Sequence, residues 1–151
     1  MKHKLTRETH NNMNSTVPTV PTTELRENSQ PPKAELTLDF IAGLITGNGS
    51  FLWIIQNTTQ EIPVFQLKMP IEDLYILEAI KAKLNLKEKI HSYSHQDRHY
   101  AILLIRKRST IENKLIPALE ERLWGTKKQH FDAWKKKLFE NKFKYIYKQH
   151  I

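Results

Sequence analysis

Three of the chain's four glycines, Gly43, Gly47 and Gly49, fall within seven residues. They follow an aliphatic run (Leu36, Leu38, Phe40, Ile41, Leu44, Ile45) and precede a run rich in β-formers, SFLWIIQNT at residues 50–58. Glycine commonly terminates helices, and aromatic and β-branched residues favour strands. The pattern therefore predicts a helix over residues 36–45 that stops at the glycines and gives way to a strand.

The punctuation continues downstream. A turn at 59–61 leads to a second strand, 62–69. Pro70 opens a helix over 71–86, with Leu74, Leu77, Ala79, Ile80 and Leu84 at helical spacing. Strands at 90–95 and 99–107 flank a further turn. A helix over 109–123 begins with a capping box, Ser109 as N-cap and Glu112 three residues on. A last, basic helix covers 131–147, with Phe131, Trp134, Leu138 and Tyr145 as its apolar stripe. The order α-β-β-α-β-β-α-α predicts an α+β domain over residues 36–151. Residues 1–35 hold four of the seven prolines (Pro18, Pro21, Pro31, Pro32) and no aromatic residue. Such a polar stretch cannot bury enough apolar surface to order itself, and is read as an extended, low-complexity N-terminal tail.

Composition narrows the function classes. No apolar run approaches the ~18 residues of a spanning helix, so no membrane role is expected. With no cysteine, disulfides, thiolate zinc sites and cysteine nucleophiles are excluded. The 24 Lys and Arg against 16 Asp and Glu give a net charge of +8, which favours an anionic partner, most often nucleic acid.

Residues 40–51, FIAGLITGNGSF, resemble the signature of the LAGLIDADG homing endonucleases. Ile41, Ala42, Gly43, Leu44 and Ile45 stand on its first five letters and Gly49 on its last, and Ser50 and Phe51 continue into the first strand as the family does. The resemblance covers about residues 36–140 and agrees with the element order. It implies the family's α-β-β-α-β-β-α domain, an antiparallel saddle sheet covered by helices. It also implies that Ile41, Ala42, Gly43, Leu44, Ile45, Gly47 and Gly49 form a helix–helix interface. A chain with a single motif takes the second helix from another subunit, so a homodimer is expected.

In the family, acids at the foot of the motif bind Mg²⁺ for two-metal hydrolysis. Thr46 and Asn48 stand at those positions here, and Asp39 lies more than two helical turns back. A neutral amide is a much poorer Mg²⁺ ligand than a carboxylate. Met69 falls where the family often places a polar residue near the attacking water. These departures predict a degenerate, inactive member: not an enzyme, with no catalytic residue, metal site or cofactor. Mg²⁺ belongs only to the alternative, an active site-specific DNA endonuclease or an intron splicing maturase.

From residue 122 onward, Arg122, Lys127, Lys128, Lys135, Lys136, Lys137, Lys142, Lys144 and Lys148 face only Asp132 and Glu140, a net +7. Lysines neutralise phosphates, and interleaved aromatics stack on unpaired bases. A solvated amphipathic helix would show the same charge pattern. Arg98, Arg106, Lys107 and Arg108 form a second basic group, and Gln56, Gln66 and Lys68 complete the expected nucleic-acid-binding set. Leu52 and Ile54 share a strand face with Ser50 and Gln56, where major-groove reading needs donors and acceptors. RNA rather than DNA is therefore the expected partner, within an organellar ribosome or other ribonucleoprotein. Lys, Ile and Asn total 42 residues, a bias of AT-rich genomes that points to an organelle, the mitochondrion ahead of the chloroplast. His91, His95 and His99 are four apart, but on a strand and turn, so no metal site is expected.

Overall fold

The computed structural model describes residues 31–149, with side chains to residue 141; the predicted tail up to residue 30 lies outside the described residues. The first helix, α1 (Leu38–Asn48), begins two residues later than predicted. Thr37 sets its start: the side-chain oxygen accepts from the Phe40 N–H at 3.1 Å, and Asp39 adds negative charge to the first turn. The helix runs on to Asn48, and Gly49, with φ −78°, leads straight into strand β1 (Gly49–Gln56). Glycine is required there for close approach. A Cβ at Gly49 would stand 2.6 Å from Ile45 Cγ2 and 3.0 Å from the Ile45 carbonyl oxygen.

A turn through Asn57 and Thr58, at φ 53° and 65°, returns the chain into β2 (Gln60–Pro70). A 3₁₀ turn, Ile71–Asp73, then intervenes, so α2 (Leu74–Lys83) is shorter than the predicted 71–86. β3 (Ile90–His95) and β4 (Arg98–Ile105) are joined by Gln96 and Asp97, at φ 49° and 63°. Two left-handed residues give the hairpin turn whose twist matches the flanking strands. The sheet is antiparallel throughout, in the order β1-β2-β4-β3.

Ser109 is not the N-cap of the next helix. The next segment, α3, starts at Arg108, with Lys107 as an N-cap that makes no side-chain bond. The Arg108 guanidinium instead reaches the Leu138 carbonyl at 3.0 Å, drawing that residue into the first turn. α3 is also not one regular helix. Arg108–Thr110 passes into a π turn, Ile111–Leu115, and then into Ile116–Leu119. Pro117 explains the change: it has no N–H for an i−4 bond and its ring crowds the preceding turn. The wider turn, closed by the Ile116 N–H on the Ile111 carbonyl, accommodates it. The last helix, α4 (Gly125–Gln149), starts six residues before the predicted 131. Its polar first turns carry no apolar period, but Lys128 and Asp132 pair at i,i+4 (2.8 Å).

Cross-strand register assigns the two sheet faces. Phe51, Phe65 and Ile105 are aligned, as are Leu67, Leu103 and Ile90, and Met69, Ala101 and Ser92. The buried members of this set join Ile41, Ala42 and Ile45 of α1, Leu77 and Ile80 of α2, Ile111, Leu115, Ile116 and Leu119 of α3, and Phe131, Trp134 and Leu138 of α4 in one core. All the helices therefore bury apolar residues against the same side of the sheet. Phe51 anchors it, its ring 5.1–5.5 Å from Phe65, Phe131 and Trp134. Ser50, Gln66 and Leu104 lie on the open face, with Leu52, Ile54, Lys68, Ile102 and Tyr100.

Gly49→Ala should lower stability by about 1–3 kcal/mol in urea unfolding, the usual result of overpacking beside a β-branched side chain. Gly47→Ala, where a Cβ meets nothing within 4 Å, should not destabilise the monomer.

Candidate functional site

The motif divides along α1. Ile41, Ala42 and Ile45 are at most 1% exposed and belong to the domain's own core, so they cannot touch a partner. Gly49 is buried against Ile45. What faces outward is Phe40, half exposed, with Gly43 and Gly47, and with Leu44 partly exposed beside them. Nothing lies within 4 Å of a Cβ built at either glycine. Of the predicted interface set, Gly43, Leu44 and Gly47 are thus available, and Phe40 was missed.

At the foot of α1 the Thr46 hydroxyl donates to the Ala42 carbonyl at 2.7 Å and is held within the helix. Asn48 is exposed at the last helical position. Beside it the Lys127 ammonium donates to the Gly49 carbonyl, which sits at the negative end of the helix dipole. Asp39 is nine residues before Asn48, roughly 13 Å along the axis, and pairs with Arg122 at 3.4 Å. Met69, on the helix-covered side, is 7% exposed. Among the described residues no group of three or more His, Cys, Asp or Glu could hold a metal ion. A divalent cation needs hard anionic oxygens; an amide, a hydroxyl already engaged and an ammonium do not fit it.

The predicted basic set is dispersed by the fold. Lys128 pairs with Asp132 at 2.8 Å, Lys135 with Glu120 at 2.6 Å and Lys137 with Glu61 at 2.8 Å. Lys137 also lies 4.6 Å above the Trp53 ring, and Trp134 Nε1 donates to the Leu52 carbonyl at 2.9 Å. These contacts fasten α4 to the sheet and to α3. Lys136 is exposed; the side chains of Lys142, Lys144 and Lys148 lie outside the described residues. Arg108 is turned inward to Leu138. Arg98, Arg106 and Lys107 are exposed, and Arg106 and Lys107 line an open groove of about 570 Å³ with Glu88, Lys89, His91 and Leu104.

On the open face Gln56 is exposed, Gln66 half-buried and Lys68 exposed, its ammonium 4.7 Å above the Tyr100 ring. Leu52 and Ile54 are 42% and 40% exposed there. Tyr100 stacks on Tyr93, centroids 5.2 Å apart and planes at 27°. This pair was missed, although alternation along residues 90–95 was enough to place His91, Tyr93 and His95 on one side. By the same register His99 points to the other face, bonded to Ser94 at 2.7 Å, so the three histidines do not converge.

Comparison with known proteins matches residues 41–138 to the family model described as LAGLIDADG endonuclease. Among solved structures, I-LtrWI, a LAGLIDADG homing endonuclease bound to target DNA, is 27% identical, with a TM-score of 0.60 over 70% of this chain and 38% of that one. I-CpaMI, a LAGLIDADG meganuclease bound to uncleaved DNA, gives 21% identity and a TM-score of 0.66 over 76% and 41%. I-SmaMI bound to an uncleaved DNA target in the presence of calcium ions gives 24% and 0.65 over 75% and 40%. The chain thus spans about two fifths of these proteins' length. No curated protein matches it. The findings correct the expectation of a non-enzyme: the matching model is that of an endonuclease, and the neighbours are themselves endonucleases. Asn48 does not set the chain outside that family.

Asn48→Asp should raise affinity for Ca²⁺, read by calorimetric titration, at least tenfold.

Proposed function

The chain belongs to the LAGLIDADG endonuclease family, and from that premise we propose that it binds nucleic acid as a pair of copies joined along α1. One observation carries the pairing: the outward stripe of Phe40, Gly43 and Gly47, open where a Cβ would stand. Two glycines a helical turn apart let helix axes approach closely, with Phe40 supplying apolar area at one end. Paired in this way, the two sheets offer open faces with Lys68, Arg98, Arg106 and Lys107 exposed on or beside them. Those cations neutralise backbone phosphates and bind without reading sequence. Duplex DNA is the first ligand to test, because the relatives are bound to DNA.

A second reading, RNA, is favoured by Leu52 and Ile54. They occupy open-face positions where major-groove reading needs donors and acceptors. An organellar ribonucleoprotein, mitochondrial by residue bias, is the setting proposed with it.

Light scattering of the native chain should give twice the monomer mass, and Gly47→Leu should give the monomer with its fold intact. Retardation of labelled duplex DNA and structured RNA, repeated from about 50 to 200 mM salt, should show binding that weakens steeply with salt. Gly47→Leu should bind at least tenfold less tightly. A native monomer would sink the pairing, and no retardation of either ligand at low salt would sink the function.

A further inference from the structure

We propose that the outer edge of the open face, strand β3, is a stacking rail for a short run of unpaired RNA nucleotides. The inference rests on the nucleic-acid-binding reading and names a substrate class for part of the same face. His91, Tyr93 and His95 alternate along β3 and are all exposed. Their cross-strand partners, Ile102, Tyr100 and Arg98, lie on the open face. Residues two apart on a strand are separated by about 6.7 Å. That spacing sets three exposed rings in a row along the sheet edge, each able to meet one unpaired base.

Tyr93 is the fixed point of the rail. One ring face is stacked on Tyr100, whose ring lies under the Lys68 ammonium. Tyr93 remains 37% exposed, so a ring already held in place is open to a ligand, and ordering it costs little. A ring stacked on a base is indifferent to sequence, because every base has a π face.

The ends of the rail carry charge. Arg98 is paired with His95 in the register at the hairpin end. At the other end His91 enters the groove of about 570 Å³ with Lys89, Arg106 and Lys107, where Glu88 supplies the acid. The Glu88 carboxylate accepts from the Lys87 N–H at 3.1 Å. The groove is thus net cationic and open, as a backbone phosphate requires. Duplex DNA keeps its bases inside the stack and cannot use the rings, whereas RNA loops and bulges display theirs. The occupant is therefore an unpaired strand, and RNA supplies one in its loops and bulges.

The test is fluorescence anisotropy of the full chain with labelled decauridylate, decadeoxythymidylate and a 20-base-pair DNA duplex. Tyr93→Ala should lose decauridylate affinity roughly 5- to 100-fold while binding the duplex as the native chain does; Tyr93→Phe should retain both. Thermal melts of each variant separate loss of binding from loss of fold, and His91→Ser with His95→Ser gives a second test at surface positions. Decauridylate binding unchanged by Tyr93→Ala, or no decauridylate binding where the duplex binds, overturns the rail alone. Equal affinity for decadeoxythymidylate overturns the assignment to RNA. Failure to bind any of the three overturns the nucleic-acid reading beneath it.

Discussion

The contact between Gly49 and Ile45 fixes how helix and sheet meet. Because no Cβ stands at Gly49, β1 leaves the end of α1 in van der Waals contact with the side chain of the preceding turn. That closeness sets which way α1 faces. Ile41, Ala42 and Ile45 must turn to the sheet, so Phe40, Gly43 and Gly47 must turn away from it. It also fixes the register of β1, and with it Phe51, whose ring joins β2 to two residues of α4. Asn48 stands exposed at the foot of α1 for the same reason. A larger residue at 49 would move all of these together.

The second constraint is how the fold uses its charge. A net +7 over the last 30 residues reads as an unoccupied cationic surface, but the described lysines of α4 are largely engaged at home. Lys127 holds the Gly49 carbonyl, and Lys128, Lys135 and Lys137 meet acids. Exposed pairs of this kind contribute little to stability, about 0–1 kcal/mol each. Their larger effect is to lower the field that a phosphate would feel along α4. Of the exposed cations, Lys68, Lys89, Arg98, Arg106 and Lys107 lie around the open face and its β3 edge, while Lys33, Lys87 and Lys136 are exposed as well.

Much of the fold was legible from punctuation. The glycine cluster, the two hairpins and the stripe Phe131, Trp134, Leu138 all report local rules, and the sheet and its covering helices follow them. The errors arose where tertiary contacts override those rules. Ser109 has the chemistry of an N-cap, but Arg108 is drawn into the helix by the Leu138 carbonyl thirty residues away. Pro117 looks tolerable near a helix interior, yet it widens the preceding turn. Gly125–Gln149 begins before its apolar period does, because its first turns are held by lysine contacts. The site was harder. Small residues in the motif do not say which of them face outward, and only the burial of Ala42 separates it from Gly43.

Asn48 illustrates why a single substituted position cannot carry a functional conclusion. Judged alone, an amide in place of an acid removes charge from the foot of the motif. In the fold, the same spot is a helix C-terminus whose carbonyl receives the Lys127 ammonium. Lys127 thereby fastens the start of α4 to the start of β1, one residue past Asn48. The residue at 48 and the ammonium on the next carbonyl have to be read together.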